Sequence, residues 1–292
     1  MEILSWHEAK NPEWWLKQIG ESDWRAGQYL HQLLRENRLQ EAAGPSAQVL
    51  LLADGSRLAS FCTYGERDDI PDTDLKPWLG FVYTFPEYRG RRLMGKLIRK
   101  VCETAREDGF DALYISTREK GYYEKYGAEF LTVMKDNEGL DSDIFRLATY
   151  GFAGWENADV PARDTSYPGI RTPRDLYNAL WHVWSAETCA PRMRKDWSED
   201  NRTLGQCSVT AFLAQDIFGG KVYGIPLADG GFHCFNAAGG CEFDLTSEQF
   251  GDQKLDYANR REQFRYEHFR KDEKRARYET LKARLGQFTA GK

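Results

Sequence analysis

Tyr88-Arg89-Gly90-Arg91-Arg92-Leu93-Met94-Gly95-Lys96-Leu97-Ile98 is the stretch on which the fold turns. It follows an apolar run at 79–85 that reads as a strand. It opens a segment in which Leu93, Leu97, Ile98, Val101, Cys102 and Ala105 trace one helical face. A strand that stops, turns through glycine and basic residues and starts a helix makes an anion site. The first N–H groups of a helix have no internal acceptor, and the helix dipole favours negative charge there. Arg89, Arg91, Arg92 and Lys96 place four cations in eight residues, where a pyrophosphate could sit. The expectation is a phosphorylated cofactor.

Around this turn the first 150 residues read as mixed α and β. Residues 14–19 and 26–36 have helical spacing, with Ser22 or Asp23 placed to cap the second. Apolar runs at 48–52 and 57–64 flank Ala53-Asp54-Gly55-Ser56, a hairpin signal. After the helix that Gly109 ends, 112–116 reads as a buried strand, 122–126 as a short helix closed by Gly127, and 129–134 as a strand. Gly151, Gly154, Pro161, Pro168 and Gly169 change the character of the chain, so 151–170 reads as a linker. Beyond it come a helix at 174–188, a helix from Cys207, strands at 231–236 and 241–245 with a turn over 236–240, and a charged helical tail from Asp252 to Gly286. The fold class is α+β in two domains, 1–150 and 171–292.

The chain has 292 residues, 41% hydrophobic and 14% aromatic, enough for two cores. No apolar run nears the ~20 residues that span a bilayer, and the N-terminus lacks the blocks of a signal peptide. Six scattered cysteines show neither metal-ligand nor disulfide spacing, so a reducing cytoplasm is expected and no metal. Residues 1–150 hold 20 Lys+Arg and 25 Asp+Glu, and residues 151–292 hold 20 of each. Neither half has the basic excess of a nucleic-acid binder. The cations at 89–96 are therefore a local feature of an acidic domain.

Two segments of the first domain resemble the GNAT superfamily of acetyl-CoA-dependent N-acyltransferases, over roughly 40–135. The turn quoted above is similar to that family's Arg-Gly-x-Gly-Ile-Gly motif, with Arg92 and Met94 where glycine or alanine is usual. Gly121-Tyr122-Tyr123-Glu124-Lys125-Tyr126-Gly127-Ala128 resembles its later tyrosine segment. The resemblance implies acetyl-CoA as cosubstrate. Val82, Tyr83 and Thr84 would offer main-chain groups to the pantetheine arm. Arg89, Gly90, Arg91, Arg92, Leu93, Met94, Gly95 and Lys96 would hold the pyrophosphate. Tyr123 would protonate the departing thiolate, a task that suits a phenol of pKa about 10. The run Glu66, Asp68, Asp69, Asp72, Asp74 reads either as a solvated loop or as the acceptor side. On the second reading Glu66 is the candidate base, with Asp69 next, and the run would attract a cationic amine, small molecule or peptide.

A second site is expected at Gly205-Gln206-Cys207-Ser208-Val209, where a thiol opens an apolar helix and the dipole favours thiolate. His233 follows on an apolar strand and Asp244 on the next, within cross-strand reach of each other. That order resembles the papain-like and transglutaminase-like fold, in which the histidine activates the thiol and the carboxylate orients the histidine. Gln206 or Asn201 could supply an oxyanion donor. Taken singly, Cys207 and His233 also suit a packed core. Residues 174–250 more closely resemble small bacterial proteins of the YunG-like family, through 176–181, 205–211, 215–220, 243–246 and 249–250. The aromatics in the basic tail suit docking better than base stacking, so no nucleic-acid partner is expected. The function expected is acetyl transfer from acetyl-CoA to an amine by direct attack, with an accessory thiol-containing domain. The alternative is a cysteine-dependent amidohydrolase, or a ligand-binding protein regulated by CoA.

Overall fold

Alternation along one strand shows how the first unit is layered. In β2 (Gln48–Asp54), Leu50 and Leu52 enter the core beneath α4 (Met94–Glu107), while Val49, Leu51 and Ala53 enter the core on the opposite face. The first core takes Met94, Leu97, Ile98, Val101, Cys102 and Ala105 from α4, the stripe expected from its periodicity. The second takes Trp15 and Ile19 from α1 (Pro12–Gly20) and Leu30 from α2 (Arg25–Arg35). A central sheet thus carries helices on both faces.

The computed structural model describes residues 1–292 except 229, 252 and 292, and it divides into units Met1–Tyr150 and Gly151–Lys292. In the first unit β1 (Glu2–Ser5), β2, β3 (Arg57–Gly65), β4 (Trp78–Thr84), β5 (Ala112–Thr117), β6 (Glu129–Lys135) and β7 (Asp141–Ala148) form one sheet in the order β1-β2-β3-β4-β5-β7-β6. A five-residue α3 (Leu39–Ala43) precedes β2. Pairing is antiparallel except between β4 and β5, which α4 joins as a parallel crossover. Trp78–Tyr114 is the one register pair between those strands among the described residues. From there they part toward the end of β4 that leads to α4. The expected cap of α2 differs: Trp24 precedes the helix without a side-chain cap, and the Asp23 carboxylate accepts the Tyr83 hydroxyl at 2.5 Å.

The second unit has α5 (Pro173–Val183), α6 (Cys207–Phe218), β8 (Lys221–Pro226), β9 (Phe232–Ala238), β10 (Cys241–Phe243), β11 (Arg261–Glu262), α7 (Arg265–His268) and α8 (Asp272–Ala290). Its antiparallel sheet runs β10-β9-β8-β11. Thr172 and Asp175 close a capping box on α5, which ends before the expected 188 because Trp184 turns extended and donates its indole N–H to Thr210 Oγ1 at 3.0 Å. The β9–β10 turn narrows to Gly239-Gly240, both at positive φ. The expected tail helix is two helices preceded by irregular chain and β11. Asp252, where that expectation began, lies outside the described residues.

Residues 151–170 are no linker. Phe152, Ala158, Val160, Tyr167 and Ile170 are buried, Ala153 bridges to Asp244, and Arg163 N–H donates to Ile217 O at 2.7 Å. Glycines and prolines suggested an open connection, but they turn a segment whose apolar residues belong to the second core. No helix among the described residues is long and apolar enough to cross a membrane.

Candidate functional site

In the first unit, the divergence of β4 from β5 leaves one edge of β4 beyond Trp78 without a strand partner among the described residues. That crevice lies at the carboxyl end of a parallel pair, where open α/β sheets bind ligands. The loop from β4 to α4 is bent by Gly90 at φ +77° and by Arg92 at φ +54°. A non-glycine residue in that left-handed region costs about 1–2 kcal/mol. Gly95 N–H donates to Arg92 O and Lys96 N–H to Leu93 O. Among the described residues, the N–H groups of Arg91, Arg92, Leu93 and Met94 are left without an acceptor. Gly95 also fixes the neighbouring element. A Cβ there would stand 3.1 Å from the Tyr126 ring, so its absence lets the turn Tyr123–Tyr126 lie against the start of α4.

Tyr123 is buried in the core beneath α4. Burial, and then Tyr122, push its phenol well above the usual range, with Asp68 and Cys62 adding to the shift. Asp68 reaches the same region from the loop after β3. A Cβ on Gly80 would stand 3.1 Å from Asp68 Oδ2 and 2.9 Å from Thr63 Oγ1, so the carboxylate sits directly over β4. Burial, and then the charge of Asp69, push Asp68 up to about 7, although Asp69 N–H donates to it at 2.8 Å. β4 also bulges: Phe61 pairs with Tyr83 and Thr63 with Gly80, and Phe81 takes φ +49°.

In the second unit Cys207 is the first residue of α6 and is partly exposed. His233, on β9, is fully buried and bonds Asp244 Oδ2 through Nε2 at 2.5 Å. Asp244 also accepts from Tyr257 Oη at 2.8 Å, Thr246 N at 3.1 Å and Thr246 Oγ1 at 3.2 Å. Hydrogen bonding to Cys234 holds the Cys207 thiol well below its ordinary range, and His233 adds to this against the opposing effect of burial. The Cys234 thiol, buried on β9, is raised. Burial lowers the His233 pKa, but Asp244 and then Cys207 outweigh it and push it up to about 10.

Comparison with known proteins places both halves. Residues 9–128 match the model "Acetyltransferase (GNAT) family" and residues 172–290 the model "YunG protein". The chain joins a GNAT acetyltransferase domain to a YunG domain. Over 54 residues it is 43% identical to the uncharacterized protein YunG of Bacillus subtilis (strain 168), a match covering 18% of this chain and 46% of that relative. The chain therefore spans about half the length of the curated relative it matches.

Solved structures similar to the GNAT half include an acetyltransferase from Streptococcus agalactiae, 21% identical, TM-score 0.37, covering 50% of this chain and 97% of the other. The aminoglycoside 6′-N-acetyltransferase from Enterococcus faecium is 15% identical, TM-score 0.38, covering 52% and 98%. An aminoglycoside 6′-N-acetyltransferase complexed with coenzyme A is 12% identical, TM-score 0.38, covering 52% and 98%. A GNAT acetyltransferase domain implies acetyl-CoA-dependent N-acetylation.

The GNAT domain brings Tyr123, Gly95 and the loop before α4 together, and it turns two expected residues aside. Arg89 is tied back: its Nε donates to Thr84 O at 3.0 Å, its Nη2 pairs with Asp23 at 3.4 Å, and its guanidinium lies 5.6 Å from the Tyr83 ring centroid. Glu66 accepts from Ser46 Oγ at 2.5 Å and Ser46 N at 3.2 Å, which holds the loop before β2. Main-chain acceptors of β4 are partly engaged as well, since Ser60 Oγ donates to Tyr83 O at 2.6 Å. Val82 joins the core beneath α4. Asp68 was hidden among five carboxylates, and nothing in the spacing marked the bulge at Phe81.

In the YunG domain Cys207, His233 and Asp244 meet, but Asp244 follows β10 rather than lying within it. Gln206 is fully buried and its amide donates to Ser185 O at 3.0 Å, while Asn201 accepts from Thr203 in a turn. Tyr257 was visible in sequence only as a docking aromatic. Cys234 neighbours His233 on a strand, and alternation alone sends two such neighbours to opposite faces.

Proposed function

We propose that the GNAT domain transfers an acetyl group from acetyl-CoA to a cationic amine by direct attack of the amine, with Asp68 as base and Tyr123 as acid. Acetyl-CoA supplies an acetyl group already activated as a thioester. The observation that supports this reading is the convergence, at the open edge of β4, of the α4 amides, the Asp68 carboxylate over Gly80 and the Tyr123 turn against Gly95. The loop fits the cosubstrate's diphosphate: the N–H groups of Arg91–Met94 lack acceptors among the described residues, and Arg91, Arg92 and Lys96 lie in the same loop and first helical turn. Arg92 adopts the left-handed backbone expected of glycine, so its departure from the usual motif is absorbed by the main chain.

Asp68 can take a proton from an ammonium at neutral pH because burial keeps its carboxyl near 7. Tyr123 holds its proton until the sulfur departs, because burial keeps the phenol neutral. Direct attack is preferred because the motif residues include no nucleophile to carry the acyl group. Asp69, at the surface next to Asp68, adds negative charge that draws a cation toward the crevice. CoA release in the presence of an amine panel tests the proposal. Turnover that disappears in Tyr123→Phe and Asp68→Asn is expected. Binding of acetyl-CoA without release with any amine would leave a ligand-binding domain.

A further inference from the structure

We infer that the YunG domain holds a second reaction centre, in which the Cys207 thiolate attacks the carbonyl carbon of a carboxamide and His233 protonates the departing amine. A core histidine needs one partner and no charge. His233 instead has a buried carboxylate on Nε2, while its Nδ1 faces Gln249 Nε2 at 3.5 Å and remains the nitrogen for Cys207. Asp244 is 1% exposed and accepts from His233, the Tyr257 hydroxyl and both the N–H and hydroxyl of Thr246. Such a buried charged pair is no cheaper than apolar packing of the same volume, so stability alone does not account for it.

The supports of the centre also converge. Gln249 Oε1 accepts from Gly205 N–H at 3.3 Å, ahead of the nucleophile, while its amide donates to Thr246 O at 2.8 Å beside His233. The Phe250 ring stands edge-on, 4.7 Å from the imidazole centroid, and fixes its plane. Lys274 is half-buried and its positive charge acts on both Cys207 and Cys234; its ammonium donates to His268 Nδ1 at 3.0 Å, and burial, then the charge of Lys274, push His268 down to about 4, so it stays neutral and does not compete for the thiol proton. Cys207 itself is partly exposed at the mouth of this arrangement, and the N–H groups of the first turn of α6 lie beside it.

The chemistry selects the substrate class. In the first half-reaction a C–S bond forms at the carbonyl, the C–N bond breaks, and the proton on His233 goes to the amine nitrogen. In the second, water gives a proton to His233 and its oxygen to the carbonyl, the C–S bond breaks, and the thiolate returns. The products are a carboxylic acid and an amine. An ester with a good leaving group needs no proton donor, whereas an amide does. Asp244 and Cys207 keep His233 protonated through neutral pH, which is the state an amine leaving group requires.

The test uses the full chain with p-nitrophenyl acetate, p-nitroacetanilide and iodoacetamide, with modified cysteines mapped by mass spectrometry. Acetylation of Cys207 by both acyl probes is expected, together with iodoacetamide alkylation that is already fast well below pH 8. His233→Gln is expected to slow acylation by the anilide about 100-fold or more and by the ester much less. An alkylation profile of an ordinary thiol, pKa about 8.5, measured on the unaltered chain, would overturn the proposal even if the variant misfolds. Acylation by the ester alone would overturn the amide assignment. A Cys207–Cys234 disulfide formed by peroxide, with no acylation by either probe, would replace it with a redox role.

Discussion

Replacing Asp68 by asparagine removes the ionisable oxygen above Gly80 while keeping the shape of the side chain. Two effects of opposite direction follow. If the carboxylate takes the amine proton, acetyl transfer falls by about 10²–10⁴-fold, the range for a positioned general base. Stability moves the other way. The Asp68 carboxyl has an ordinary pKa of 3.8 in the open chain and about 7 in the fold, so the folded state binds the extra proton between those values. The stability contributed by this proton is therefore full below about pH 4 and is lost as pH rises through about 7. The decline amounts to at most about 4 kcal/mol at 1.36 kcal/mol per pH unit, less where water enters the crevice. Asparagine has no such loss, so the variant should be slower and, at pH 8, more stable. Steady-state rates at saturating acetyl-CoA across pH 5–9, with urea melts at pH 5 and 8, measure both. The rising limb near pH 7 should vanish in the variant. An unchanged rate and limb, or lower stability at pH 8, would refute the role of Asp68.

Tyr123→Phe keeps the buried ring and removes the acid, so kcat should fall about 100-fold while the affinity for acetyl-CoA in calorimetry stays within a few-fold. Arg92→Gly relieves the left-handed backbone and should raise stability by about 1 kcal/mol, read as a shift in urea midpoint, while weakening acetyl-CoA binding through the lost cation. Arg89→Ala should leave acetyl-CoA affinity nearly unchanged, because that guanidinium is held by Thr84 and Asp23. A tenfold loss of affinity there would place Arg89 in the diphosphate site. Leu97→Ala empties a fully buried position beneath the sheet and should cost about 2–5 kcal/mol in the same melts.

How much of this was legible in sequence depended on the kind of signal. The helix at 94–107 was plain because Leu97, Ile98, Val101 and Ala105 repeat at its period. The hairpin of β2 and β3 was plain because Gly55 interrupts two apolar runs. Four strands, β1, β7, β8 and β11, were not, and two of them show why. β7 opens with Asp141-Ser142-Asp143, polar residues that read as loop, yet Ser142 is buried and shares a 2.8 Å hydrogen bond with Ser116. β8 contains Gly224 and ends on Pro226, and Gly224 serves to admit the Gln263 side chain rather than to end the strand. In the sites, residue type was readable and choice among equals was not. Five carboxylates in nine residues look alike until the chain places one of them over Gly80. The pairing of His233 with Asp244 could be anticipated from a hairpin, whereas the Tyr257 hydroxyl arrives from a stretch without periodicity. The span 151–170 misled because glycine and proline mark turns whether or not the segment between them is packed.

Calorimetric titration of the folded chain with acetyl-CoA tests the central claim most directly. One site per chain is expected, with affinity that falls as salt rises, because the Arg91–Met94 amides and neighbouring cations hold a diphosphate. A folded chain that shows no heat of association with acetyl-CoA at any temperature tried would contradict it.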